Sequence, residues 1–243
     1  MEIRLDKYLA DMGIGTRSQV KQYIRKKQVQ VNGSVPNGPQ QKVAVGKDIV
    51  TFQGAEVDYA VYEYYMFCKP KGCVSAVTDN CHDTVVDYIT DRKRKDLFPV
   101  GRLDIDTEGL LLITNDGSLA HNLLAPGRHV PKCYQAKVSG QVTEEDVELF
   151  SKGVEIGEEH PTLPAELKIL SVEKEKGDDL WISQIELVIT EGKFHQVKRM
   201  FEAVGKSVID LKRISMGPLK LDDSLKPGEY RTLTEEELKL LCQ

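Results

Sequence analysis

Apolar residues near the start of the chain fall at helical spacing. Leu5, Tyr8, Leu9 and Met12 share one face of a helix expected over Arg4 to Met12, and Gly13 and Gly15 end it in a short turn. Thr16 followed by Gln19 has the spacing of a capping box, so a second helix starts there and buries Val20, Tyr23 and Ile24. Gln28 to Val31 alternates polar and apolar, Asn32-Gly33 is a tight-turn dipeptide, and Ile49 to Phe52 supplies a further strand. Gln53 to Ala60 mixes turn formers with acids and has no period, which sets a domain boundary: residues 1–58 on one side, 59–243 on the other.

Beyond Tyr64 the pattern changes. Apolar runs at Tyr65 to Cys68, Leu110 to Thr114, Tyr134 to Val138 and Ile182 to Ile189 read as strands, separated by Gly, Pro and Asn-Asp punctuation. Helices are expected over 116–124, 143–151 and 195–204, and Thr234 with Glu237 caps a short last one. Strands outnumber helices, and too few precede a crossover helix for a regular parallel sheet. The expected class is therefore α+β, with a mixed, mostly antiparallel sheet in the larger domain.

Charge refines the picture at one place. The chain carries a net −5, which argues against a nucleic-acid partner as a bulk figure. The distribution is uneven, however: through residue 58 nine basic residues face six acidic ones, a net +3, and the remainder holds −8. Arg17, Lys21 and Arg25 recur every four residues along the second helix and line one edge of it as a cationic ridge, continued by Lys26 and Lys27. Five cysteines, none in a CxxC pair, fit free thiols in a reducing cytoplasm and no bound metal. No apolar run approaches the roughly 18 residues that span a bilayer, and MEIRLDKYLA lacks a signal-peptide core, so a cytoplasmic chain without a membrane partner is expected.

The segment with most chemistry is VGRLDIDTEGLLLITNDG, Val100 to Gly117. It places three carboxylates, Asp104, Asp106 and Glu108, and Arg102 in a loop that feeds a fully apolar strand, a rigid support for a reactive group. Without further information such a loop is equally a solvated acidic turn. HVPKCYQAKV, from His129, turns Tyr134 inward with Ala136 and Val138. EGKFHQVKRM, from Glu191, leads from a strand into a helix and clusters Lys193, Lys198 and Arg199.

These motifs carry a resemblance. RLDKYLADMGIGTRSQVKQYIRKKQVQVNG resembles the S4 (αL-like) RNA-binding domain, whose second helix and following loop face the RNA backbone; here those residues are Arg17, Lys21, Arg25, Lys26 and Lys27. GRLDIDTEGLLLITNDG resembles the signature of pseudouridine synthases of the ribosomal small-subunit type, and the resemblance covers nearly the whole chain. It implies a catalytic domain whose essential aspartate is Asp104. It further implies that Tyr134 packs its ring on the target uracil, that Lys193 pairs with the aspartate, and that Arg102, Leu211, Lys198 and Arg199 help bind the substrate. His195 is left without a chemical role, and Asp106 and Glu108 as turn or neighbouring groups. No cofactor is implied, which fits the lack of a glycine-rich nucleotide loop or a metal-ligand cluster.

The expected activity is isomerisation of one uridine of 16S ribosomal RNA, in a small-subunit assembly intermediate, by a monomer. Similarity of the C-terminal half and the lack of a long basic tail after Gln243 favour 16S over 23S RNA. The alternatives are a 23S enzyme of the same family, a non-catalytic RNA-binding ribosome-assembly factor indifferent to loss of Asp104, and a glycoside hydrolase using two of the loop acids. The last normally draws its carboxylates from separate strands about 5 to 9 Å apart.

Overall fold

The capping box at Thr16 forms as the sequence predicts: its side chain accepts from the Gln19 backbone N–H, and the Gln19 side chain accepts from the Thr16 N–H. In the computed structural model, residues 1–174 and 180–242 are described, and they fall into two units. The first comprises Met1–Glu63 with Thr90–Leu97, the second Tyr64–Ile89 with Phe98–Gln243.

In the first unit β1 (Glu2–Arg4) leads into α1 (Leu5–Asp11), followed by α2 (Arg17–Arg25), β2 (Val29–Val31), β3 (Lys42–Ala44), β4 (Val50–Phe52) and β5 (Ala55–Glu56). β1 pairs with β3, and β2, β4 and β5 form an antiparallel ladder. Leu5, Leu9, Val20, Val29 and Val43 are fully buried between helices and strands. Burial of each large aliphatic among them contributes about 1.5–3 kcal/mol. Because Val20 and Ile24 turn inward, Arg17, Lys21 and Arg25 are left on the exposed side of α2, and Lys26 and Lys27 follow them in solvent. Arg94, brought in by Thr90–Leu97, is buried beside Asp96 and Asp11 and donates to the Tyr59 hydroxyl.

The second unit is built on a mixed sheet. Its strands are β6 (Tyr64–Lys69), β7 (Phe98–Pro99), β8 (Glu108–Thr114), β9 (Lys132–Ser139), β10 (Glu166–Lys174), β11 (Trp181–Ile189), β12 (Ser207–Met216), β13 (Leu219–Lys220) and β14 (Tyr230–Thr232). The central order is β10-β11-β9-β12-β8-β6-β14, with β13 paired to β12 and β7 to β8. Among the described residues β12 and β8 make the one parallel pairing between these strands; the rest are antiparallel. The α+β class with a mostly antiparallel sheet is therefore observed.

Helices α3 (Gly117–Leu124), α4 (Glu144–Lys152), α5 (Gln196–Ala203) and α6 (Glu235–Leu241) lie within a residue of their predicted bounds or inside them. Met66, Leu110 and Leu112 from the sheet pack with Leu119, Ala120 and Leu123 of α3. Phe150 of α4 and Phe201 of α5, both fully buried, meet with ring centroids 5.0 Å apart. The parallel step depends on Gly109. Its φ is +102°, and a Cβ there would lie 2.2 Å from the Arg213 carbonyl oxygen, so only glycine lets β8 and β12 approach.

Candidate active site

Asp104 lies in the loop between β7 and β8, and that loop is fastened from below by a buried lysine. Lys69, the last residue of β6, has no solvent exposure. Its ammonium donates to the carbonyls of Asp104 at 2.9 Å, Thr107 at 3.0 Å and Pro70 at 3.0 Å, with Ile105 at 3.4 Å. Burial lowers its pKa from the usual lysine value, opposed by Cys73 and then by the carboxylates of the loop. Ser75 adds a second tie, donating through its hydroxyl to the Leu103 carbonyl and accepting from the Leu103 N–H. The Thr107 N–H closes the turn on the Asp104 carbonyl at 3.1 Å. The backbone is thus held while the Asp104 side chain keeps 28% of its surface exposed.

One cavity brings Asp104 together with Arg102, Tyr134, Lys193, Lys198 and Leu211. Tyr134 reaches it because the alternation of β9 turns Tyr134, Ala136 and Val138 to the buried face. Leu211, opposite Ala136 on β12, supplies an apolar wall. Thr107 also lines the cavity; its hydroxyl is buried and has no hydrogen-bond partner among the described residues.

The cations are arranged differently from the sequence expectation. Lys193 does not pair with Asp104; its ammonium donates instead to the carbonyls of His160 at 2.9 Å and Pro161 at 3.1 Å. Lys198 takes the place beside the carboxylate, 3.3 Å from Asp104 Oδ2 and 2.6 Å from Asp106 Oδ1. The reason is the turn before α5. His195 adopts a left-handed backbone with φ +48°, and Gln196 locks the turn by accepting from the Lys193 N–H and donating to Glu191. Lys198 then falls in the first turn of α5 and reaches back toward the loop. Burial disfavours its charge, yet the hydrogen bond it donates to Asp106 and the charge of Asp104 outweigh that and raise its pKa. Asp106 is lowered, chiefly by the hydrogen bond it accepts from Lys198.

Arg199, expected at the substrate, is not part of the cavity wall. Its guanidinium is engaged by Glu158 at 2.6 Å and by the carbonyls of Phe194 and Ile156. His195, which the sequence leaves without a chemical role, stands with Nε2 3.6 Å from Asp104 Oδ1, an ion pair whenever the imidazole is protonated.

Known proteins resemble this chain over nearly its whole length. A family model described as RNA pseudouridylate synthase matches residues 63–203, and one for the S4 domain matches residues 3–49. The chain belongs to the RNA pseudouridylate synthase family. It is 46% identical over 240 residues to an uncharacterised RNA pseudouridine synthase of Bacillus subtilis, covering 98% of each chain. It is 38% identical over 237 residues to ribosomal small subunit pseudouridine synthase A of Vibrio cholerae, covering 97% of this chain and 98% of that one. A crystal structure of a pseudouridylate synthase aligns with TM-score 0.67 at 36% identity over 98% of this chain and 99% of its own.

In this synthase the position of Lys198 makes a direct prediction. Lys198→Met should lower kcat about 10²-fold, the scale of losing one preorganised electrostatic partner. Lys193→Met, which removes only ties to two carbonyls, should stay within about tenfold of the wild type. Single-turnover rates on the same RNA decide it, and the reverse ranking would return the pairing role to Lys193.

Sequence reasoning missed Lys69. The available signal was a lysine closing an apolar strand and followed by Pro70, since a charge is tolerated in such a run only where backbone acceptors meet it.

Proposed function

We propose that the synthase converts one specific uridine of 16S ribosomal RNA to pseudouridine, with Asp104 as the reacting carboxylate and no cofactor. The observation that carries this reading is the Asp104 carboxylate in a cavity walled by Tyr134 and Leu211, with Lys198 at 3.3 Å. The reaction breaks the N1–C1′ bond, turns the uracil and joins C5 to C1′; C5 loses a proton and N1 gains one, so the formula is unchanged. Nothing is oxidised and no phosphate moves. Asp104 begins it by adding to the sugar, adding to the base or taking the C2′ proton. Tyr134 and Leu211 form an apolar slot for the extruded base. Extrusion costs a few kcal/mol of lost stacking, which the walls of such a slot repay.

Residues 1–58 serve as the RNA grip, in a unit that also takes in 59–63 and 90–97, and the rest of 59–243 as the catalytic domain. The small-subunit substrate is supported by the names of the relatives that match over nearly full length. Incubating the purified protein with unmodified 16S and 23S transcripts and mapping pseudouridine by carbodiimide tests it: a new site in 16S alone is expected, and a site only in 23S overturns the substrate assignment.

The exposed ridge of α2 gives a second measurement. Replacing Arg17, Lys21 and Arg25 together with Gln should weaken RNA binding and reduce the slope of log K against log salt by about 2–3, one unit or slightly less for each phosphate no longer neutralised. Unchanged slope would leave the ridge as a solvated helix face.

A further inference from the structure

Phe194 stands out among the aromatic residues: the residue is 68% exposed, although it sits in a turn held by three hydrogen bonds. A lone exposed apolar side chain is ordinary. This one is not loose on the surface. Its ring stacks on the imidazole of His195, with centroids 3.8 Å apart and planes 18° from parallel. His195 is fixed in turn by its left-handed backbone and lines the cavity, with Nε2 3.6 Å from Asp104. The two rings therefore form a short π stack that begins at the reacting carboxylate and ends in solvent. Phe194 itself is outside the cavity wall.

The chemistry of the reaction says what such a stack meets. When a uridine leaves its strand to enter the cavity, the bases on either side lose a stacking neighbour. An aromatic ring just outside the cavity can replace that neighbour, because every base has a π face. Phosphates of the same strand find cations at the cavity, Lys198 in its wall and the exposed Arg102. Prior fixation of the turn keeps the ordering cost of the stacking low.

We propose that Phe194 is a stacking platform for the RNA base adjacent to the target uridine, acting as a positioning residue for the reaction. This rests on the cavity being the uridine site. The experiment is steady-state kinetics on the unmodified rRNA transcript that the wild-type protein converts, with Phe194→Ala, Phe194→Leu, Phe194→Tyr and Phe194→Trp. Base–aromatic stacking sets the expected size: Phe194→Ala should raise KM about tenfold or more, with kcat within about twofold. Phe194→Tyr and Phe194→Trp should restore KM, and Phe194→Leu should not, because it keeps apolar bulk without a π face. The salt dependence of KM should not change, since no cation is removed.

Wild-type KM for Phe194→Ala, full rescue by Phe194→Leu, or a fall in kcat with KM unchanged would each overturn the platform. A lowered melting temperature shared by all four variants would do so too, by exposing a folding role instead. If the wild type converts neither 16S nor 23S RNA, as transcript or within assembly particles, the uridine-site reading fails first and the platform with it; if the wild type turns over, only Phe194 is on trial.

Discussion

Asp104→Asn is expected to abolish pseudouridine formation, by more than about 10⁴-fold, while RNA affinity stays within about threefold of the wild type; losses of this order follow removal of a reacting side chain. The geometry makes this substitution unusually clean. The loop is held through the backbone carbonyl of residue 104, by Lys69 at 2.9 Å and the Thr107 N–H at 3.1 Å, and neither tie involves the side chain. Asn matches Asp in shape, so the cavity should keep its walls. Lys198 would not be stranded, because Asp106 at 2.6 Å remains its partner. What disappears is the negative charge and the ability to add to carbon or accept a proton. Product analysis of the purified variant after prolonged incubation checks the first half and filter binding the second. Measurable turnover would remove Asp104 from the reaction, and collapse of affinity would mean that it serves binding instead.

Much of this site is legible in the sequence, for reasons that differ between its parts. The acid-rich turn before a strand of unbroken aliphatics marks the Asp104 loop as rigidly supported, and the strand is observed buried along nearly its full length, but only the family resemblance singles the loop out from a solvated acidic turn. The inward turn of Tyr134 is readable from alternation, since β9 runs without a bulge against β11, whereas its place at the site is implied only by the family resemblance. Where registers slip, alternation fails as a guide. β10 shifts between Ile169 and Ser171, and β12 shifts at two places, so neither strand shows a clean period although they contribute nine and ten residues. The choice between Lys193 and Lys198 turns on the bend before α5, where His195 takes a positive φ and Gln196 ties the turn, and a positive φ remains uncommon enough at any non-glycine residue that the sequence does not mark it. Arg94 is hidden for another reason. It belongs to DRKRKD, a run that reads as a solvated charge cluster, yet one of its arginines is 5% exposed in the first unit.

Lys69→Met should have the second large effect, and it separates support from chemistry. Met matches the length and volume of the lysine in a slot with no solvent exposure, but it donates no hydrogen bond. The carbonyls of Asp104, Thr107 and Pro70 would lose their ammonium partner at 2.9–3.0 Å. Each buried acceptor left unmet costs about 1–3 kcal/mol, partly offset by no longer desolvating a charge, so a net loss of about 2–4 kcal/mol of folding stability is expected. The catalytic loss should be larger than stability alone predicts. Asp104 is positioned only as well as its loop, and displacement of a reacting group by about 1 Å costs on the order of 10² in rate. At a temperature where urea melts show the variant fully folded, kcat should therefore still fall about 10²-fold or more, with RNA affinity little changed because Lys69 touches no solvent. Lys69→Arg is no remedy, since its larger fork overfills the slot. Wild-type kcat in folded Lys69→Met would mean that Ser75 and the Thr107 turn hold the loop without the lysine.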